Sequence, residues 1–410
     1  MTNPLADPYL VLTKVYADGA RLKQALAETP IEECNRPRTV RISYGVLEKD
    51  IYLSWCIKSR TQRAPKAPVR LILKIALYMM LFQNKHRYMV TDNAVALLKR
   101  AGKGGAAGFV NAFLRNFDEK DVPLPDGDEG MSVRYSYPLF ALRLLREQYP
   151  GRYERIMAAE SRGVTVRFRD AASAAGYLSR EHEETPFENV YVFRNFARDS
   201  GFSDGLYTFQ SVGSVAICAG VEPCGTLLDA CAAPGGKSVL LSEKCGHVTA
   251  FELHEHRMGL IRSYASRMGR ENITAVQRDS SVFDAAYEDA FDGVLCDVPC
   301  SGMGTVCENP DIKLHKTEGD LTSLHAVQLA ILSSCARYVR PGGCLYYSTC
   351  SLFECENDGV VSDFLSSACG FEAERADSPL AHVRTRHGLQ FLPDDAFGAG
   401  FYFCKLRREK

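Results

Sequence analysis

From residue 8 to about residue 117, apolar side chains recur at steps of three and four, the spacing of one helical face. The pattern predicts helices over residues 8–26, 38–57, 68–83, 91–100 and 107–117. The third is nearly all apolar. Its two charged side chains, Arg70 and Lys74, are four apart and share one narrow stripe, which makes this helix the expected centre of a bundle. Residues 118–131 are acidic and rich in Pro and Gly, and read as a linker. Helical spacing returns over 137–149 and stops at Pro150 and Gly151, while 164–168 and 190–193 read as strands. The chain thus divides into a helical domain (1–131), a small α/β linking subdomain (132–205) and a third domain (206–410).

Beyond Phe209 strands and helices alternate, which predicts a doubly wound, Rossmann-like α/β sheet. Its strands are expected at 226–230, 247–252, 273–277, 293–297 and 345–348. Residues 389–392 and 400–406 look like an antiparallel pair that closes the sheet at its edge. The first of these strands runs into Cys231, Ala232, Ala233, Pro234, Gly235, Gly236 and Lys237, and a helical pattern follows. Small residues let a backbone approach a ligand closely, and the next helix offers free N–H groups. A phosphate-binding P-loop ending in Gly236-Lys237-Ser238 would need glycine where Cys231 stands, and no G-x-G-x-x-G occurs there. An ordinary glycine turn fits the same residues, so the strand ends downstream must decide.

Ligands of open α/β sheets bind at the carboxyl ends of the strands. Those ends carry Asp229, Glu252, Asp279 and Asp297. Glu252, roughly 20 residues past the turn, stands where an acid accepts the hydroxyls of a ribose. Asp279 stands where it could face an adenine edge. Two cysteines lie just past strand ends among small residues, Cys300 in Asp-Val-Pro-Cys-Ser-Gly and Cys350 in Ser-Thr-Cys-Ser. Thiols so placed face a pocket, whereas Cys296 and Cys344 sit inside strands as structural cysteines do.

Charge and cysteine content refine this picture. Residues 1–140 hold 21 Lys and Arg against 14 Asp and Glu, and the stretch from Lys58 to Lys103 has eleven bases and one acid, Asp92. Such a bias suggests a face for a polyanion, although a solvated helical surface has the same composition. The 15 cysteines include no Cys-x-x-Cys pair, so neither a disulfide framework nor a metal site is expected. The most apolar stretch, 69–82, is interrupted by Arg70 and Lys74, and the first residues lack the layout of a secretion signal. A monomer in the cytoplasm, away from membranes, is expected.

CAAPGGKS, DVPCSG, NPDIK at 309–313, and STCS with Glu356-Asn357 together resemble the motif set of the Sun (NOL/NOP/Sun) family of RNA cytosine-5 methyltransferases. The helical N-terminus, with VNAFLRNF at 110–117, is similar to the NusB-like RNA-binding domain of the bacterial 16S ribosomal RNA members. The resemblance implies S-adenosyl-L-methionine as cofactor, held by residues 231–237 with Glu252, Asp279 and Asp297. It also implies Cys350 as nucleophile, Cys300 as its assistant in product release, and Asp297 near both base and cofactor. The cysteine of a Pro-Cys motif is the nucleophile in DNA cytosine methyltransferases, which keeps Cys300 as a rival. The implied partner is RNA, with 16S ribosomal RNA ahead of transfer RNA. A non-catalytic RNA-binding or assembly factor would account for the basic domain alone, and a dehydrogenase or nucleotide hydrolase for the sheet alone.

Overall fold

The computed structural model describes residues 3–367 and 370–410, so that Cys369 lies outside the described residues. Two compact units form: Met1–Glu147 with Asn309–His315, and Gln148–Glu308 with Lys316–Lys410.

The first unit is helical, with α1 (Ala6–Ala17), α2 (Leu22–Glu28), α3 (Arg36–Glu48), α4 (Asp50–Lys58), α5 (Ala67–Leu81), α6 (Arg87–Arg100), α7 (Ala107–Asn116), α8 (Gly127–Tyr135) and α9 (Leu139–Gln148). Helix α5 is the expected central helix, with nine of its fifteen residues buried. Two expected helices are instead broken. The stretch 8–26 turns where Gly19 takes a φ of +69°, a conformation glycine adopts without a Cβ clash. The stretch 38–57 divides at Lys49, and α4 then starts on Asp50.

Asp50 explains how Lys74 can face the core. The Lys74 ammonium is buried, ion-paired to the equally buried Asp50 carboxylate and stacked over the Tyr16 ring at 4.8 Å, while the Tyr16 hydroxyl donates to the same carboxylate. Removing one partner of such a pair strands the other charge. Asp50→Ala is therefore expected to destabilise this unit by about 3–5 kcal/mol, whereas Asp50→Leu combined with Lys74→Met should recover most of the loss. Urea unfolding followed by tryptophan fluorescence checks this, because the sole tryptophan, Trp55, lies on α4.

Ten of the eleven basic residues between Lys58 and Lys103 are exposed; Lys74 is the exception. Lys58 and Arg70 line a cavity of about 790 Å³ together with Tyr9 and Tyr16. The expected linker 118–131 is fastened to this unit: the Trp55 indole N–H donates to the Pro123 carbonyl at 2.7 Å, and Arg60 pairs with Asp121 at 3.0 Å. The unit accordingly runs on to Glu147. It also takes in Asn309–His315, which ends in the short helix α16 (Ile312–His315). Lys313 Nζ donates there to the carbonyls of Glu48 (2.7 Å) and Ser136 (2.8 Å).

The second unit starts with α10 (Tyr153–Ala158) and a four-stranded antiparallel sheet, order β2-β3-β1-β4, of β1 (Val164–Phe168), β2 (His182–Glu184), β3 (Val190–Phe193) and β4 (Tyr207–Phe209). Short helices α11 (Ala171–Ala175) and α12 (Ser200–Ser203) cross between these strands. An aromatic cluster with Phe168, Phe193 and Tyr207 buried holds this sheet. Helix α13 (Val212–Gly220) leads into the large sheet.

That sheet is built on β5 (Thr226–Asp229), α14 (Gly236–Leu241), β6 (His247–Glu252), α15 (Glu255–Arg267), β7 (Ile273–Gln277), β8 (Phe291–Asp297), α17 (Glu318–Ala336) and β9 (Val339–Thr349). Its five parallel strands run in the order β9-β8-β5-β6-β7, so the chain reverses direction of travel between β5 and β8. Loops diverge at such a switch point and leave a crevice above the carboxyl ends of the strands. After α18 (Asp358–Ser367) the edge is closed by more than the expected pair. β13 (Phe401–Arg408) lies antiparallel to β9, and β12 (Gly388–Phe391) and β10 (Phe371–Glu374) both pair along its other side, with the two-residue β11 (Val383–Arg384) outside β12. Among the described residues no helix is long and apolar enough to cross a membrane.

Candidate active site

The turn after β5 is held from below by the strands on either side. Ala230 N–H donates to the Leu295 carbonyl and Ala232 N–H to that of Phe251, both at 2.9 Å. Gly235 has a φ of +103°, and a Cβ there would come within 3.1 Å of the Ile261 backbone, so both conformation and space call for glycine. The small sheet supports the same turn. Arg167, buried, donates through Nε to Gln210 Oε1 (2.9 Å), and Gln210 Nε2 donates to the Gly236 carbonyl (3.1 Å).

Three strand-end acids surround the crevice with different tasks. Asp229 is buried; Ser238 Oγ donates to its Oδ2 at 2.6 Å, and its Oδ1 has no partner among the described residues. Burial first, and the charge of Asp297 after it, push its carboxyl up to about 6. Glu252, also buried, accepts on Oε1 from the His254 N–H (3.0 Å) and from Arg257 Nη1 (3.3 Å), which leaves Oε2 open. Arg257 Nη2 reaches the Ala233 carbonyl at 3.0 Å and so joins Glu252 to the turn. Asp297 lies opposite Ser348 in the β8–β9 register. Its Oδ2 is 2.7 Å from Lys237 Nζ, and its Oδ1 accepts from Ser348 Oγ at 2.8 Å. Burial alone would lower the Lys237 pKa, but the Asp297 charge and hydrogen bond outweigh it and raise the pKa, fixing the proton on the amine.

Asp279 stands apart from these bonds. It is exposed and accepts from the N–H (2.9 Å) and Oγ (2.6 Å) of Ser281 in its own loop. With Leu253, Gln277 and Phe283 it lines a cavity of about 570 Å³ next to the end of β6.

The two cysteines, 50 residues apart in sequence, meet: Cys300 Sγ and Cys350 Sγ are 3.2 Å apart. Contact with Cys350, then burial, raises the Cys300 pKa well above the ordinary thiol range. Gly304 N–H donates to the Cys350 carbonyl at 2.9 Å and ties the two loops together. Cys296 and Cys344 are buried within β8 and β9 as expected, and Cys231 is half-buried in the turn with its thiol pKa raised by burial.

Several contributors had little or no signature in the sequence. Ser348 reads as a strand residue, and Arg257 as one base of an ordinary helix. Gln328, fully buried in α17, was marked only by being a lone amide in an apolar run. Among the described residues one cluster, Glu222, Cys344 and Glu374, has the spacing of metal ligands. Arg407 already binds both of its carboxylates, at 3.1 Å and 2.9 Å.

The residues suit a molecule with a ribose and an amine. Glu252 offers an open acceptor to hydroxyls, Asp229 a buried unpartnered oxygen to a donor, and the turn around Gly235 a close backbone approach. Comparison with known proteins points the same way. The profile of 16S rRNA methyltransferase RsmB/F matches residues 219–407, and that of the NusB family residues 10–119. The probable ribosomal RNA small subunit methyltransferase B of Bacillus subtilis is 30% identical, with 95% of this chain and 94% of that protein covered. The ribosomal RNA small subunit methyltransferase B of Erwinia tasmaniensis is 27% identical over 100% of this chain and 99% of its own. Among solved structures, PH0851 shares the fold with a TM-score of 0.85, 21% identity, and coverage of 100% of this chain and 99% of its own. A methyltransferase homolog protein from Pyrococcus horikoshii does so with a TM-score of 0.60, 23% identity, and coverage of 70% and 100%. By its match to the Bacillus subtilis protein along nearly the whole of both chains, this chain belongs to the RsmB/F family of 16S rRNA methyltransferases.

Proposed function

We propose that the protein is an S-adenosylmethionine-dependent RNA cytosine-5 methyltransferase that acts on 16S ribosomal RNA through a covalent bond between Cys350 and cytosine C6. The observation that carries this reading is the contact of two thiols, 3.2 Å apart, just beyond the strand ends that bear Asp297 and Ser348. Cytosine C5 is a poor nucleophile until a thiolate adds to C6, which breaks the conjugation of the ring and makes C5 enamine-like.

The cofactor supplies an electrophilic methyl group on a sulfonium. Residues 231–237 would hold it, with Glu252 accepting from its ribose hydroxyls, Asp279 toward its adenine and Asp297 toward its methionine end. The other tasks fall to the chain itself. Cys350 forms the Sγ–C6 bond while Asp297, between Lys237 and Ser348, engages the N3/N4 edge of the base; the Lys237 ammonium offsets charge that moves into the ring. Once C5 carries the methyl group, a base takes the C5 proton, the electron pair left behind re-forms the C5–C6 double bond, and the Sγ–C6 bond breaks with Cys350 leaving as a thiolate. Cys300, in contact with Cys350, assists that elimination.

Thiol attack at C6 needs the base out of its stack, so the target is an unpaired or extruded cytosine. The exposed bases between Lys58 and Lys103 supply phosphate contacts for the RNA, independent of sequence. Incubating the purified protein with 16S ribosomal RNA and methyl-labelled cofactor, then digesting to nucleosides, tests the proposal. The label is expected in 5-methylcytosine; label in another nucleoside, or none, overturns it.

A further inference from the structure

We propose that Glu356 is a positioning residue that keeps Cys300 and Cys350 in contact by gripping the residue that follows each of them. The inference rests on the two-thiol reading above and adds to it the part that sets the separation. Glu356 is fully buried, and its carboxylate has three neutral donors. On Oε1 it accepts from the Ser301 N–H at 2.7 Å and from Gln328 Nε2 at 3.0 Å; on Oε2 it accepts from Ser351 Oγ at 2.5 Å. Ser301 follows Cys300, and Ser351 follows Cys350. Gln328 donates as well to the carbonyl of Pro299, at 2.9 Å, so the Cys300 loop is held on both sides of the thiol.

The clamp is itself anchored. The Tyr347 hydroxyl, on β9, donates to the Glu356 carbonyl at 2.7 Å. The neighbouring Asn357 accepts from Thr349 Oγ1 (2.6 Å) and donates to the Ser351 carbonyl (3.2 Å), and so holds the residue on each side of Cys350, one by its side chain and the other by its backbone. A fully buried carboxylate is expensive to keep charged, and no lysine, arginine or histidine pairs with Glu356 among the described residues. Fold stability alone gives no reason for a carboxylate here. A group that accepts from two loops and a helix at once does give one, since it turns three separate elements into a single rigid seat for two sulfurs.

The test uses the full chain and reads the thiol separation without RNA. Diamide takes two protons and two electrons from a pair of thiols, leaving a disulfide and the corresponding hydrazine, and peptide mapping by mass spectrometry follows the Cys300–Cys350 bond with time. Wild-type protein is expected to form it rapidly. Glu356→Ala should slow it, and kcat for RNA methylation with it, by at least about tenfold while cofactor affinity is kept. Glu356→Gln should stay within about threefold of wild type in both, because its oxygen can serve Ser301 and Gln328 while its amide donates to Ser351 Oγ, a hydroxyl that also accepts. Should Glu356→Ala fail to fold, Ser351→Ala, which removes one of the three donors, decides the matter by a slower cross-link. Unchanged cross-linking in the alanine variants, or Glu356→Gln as defective as Glu356→Ala, overturns the positioning role. Rapid cross-linking by a wild-type protein that leaves 16S ribosomal RNA unmethylated would instead remove the proposed function and leave the clamp standing.

Discussion

Cys350→Ala is expected to abolish both methylation and any covalent RNA adduct, a loss on the order of 10⁴-fold or more, as for other nucleophile deletions. Cys350 and Cys300 share one S–H···S contact of 3.2 Å in which either sulfur can donate, and in the proposed reaction Cys350 is the sulfur that attacks. Cys300→Ala should therefore still form the Sγ–C6 bond. What it lacks is the neighbour that assists elimination, so the adduct should accumulate as a slow-migrating band on denaturing gels that RNase removes. The reverse pattern, an adduct in the Cys350 variant and none in the Cys300 variant, would make the Pro-Cys thiol the nucleophile, as in DNA cytosine methyltransferases.

How much of this centre could be read beforehand follows from how far apart in sequence its partners lie. The strand ends were legible because apolar runs stop at Asp229, Glu252 and Asp297, and the observed strands end on those residues. Both cysteines were legible because small, turn-forming neighbours place them past strand ends. Their contact across 50 residues follows from β8 and β9 being paired in parallel, with Asp297 opposite Ser348. The helix breaks were missed because a single Gly19 or Lys49 does not interrupt a spacing of three and four. Apolar periodicity is likewise silent on Asn309–His315, whose Lys313 is bound to two carbonyls of the helical unit, and on Glu356, whose donors come from residues 5, 28 and 55 positions away. Bonds of that kind are set by tertiary placement and leave no period in the sequence.

Asp297→Asn should lower kcat by about 10²–10⁴-fold, the range for losing a group that works directly on the reacting base. The substitution keeps the shape, and an amide oxygen can still accept from Ser348 Oγ, so the β8–β9 register should survive. What changes is the face toward Lys237, where an amide would set its N–H₂ or a neutral oxygen against an ammonium that had a carboxylate 2.7 Å away. With that charge gone, burial is left to act on Lys237 and its pKa falls. In wild type the raised pKa keeps the ammonium charged throughout the alkaline range. The variant should lose the charge at lower pH, so its residual rate should decline with rising pH well before that of wild type. Single-turnover rates measured across the alkaline range check both parts, and Ser348→Ala serves as the contrast because it removes only a neutral hydrogen bond, worth about 0.5–1.5 kcal/mol, and leaves the Lys237–Asp297 pair in place. An Asp297→Asn rate close to wild type, or an alkaline limb that does not move, would show that this pair takes no part in activating the base.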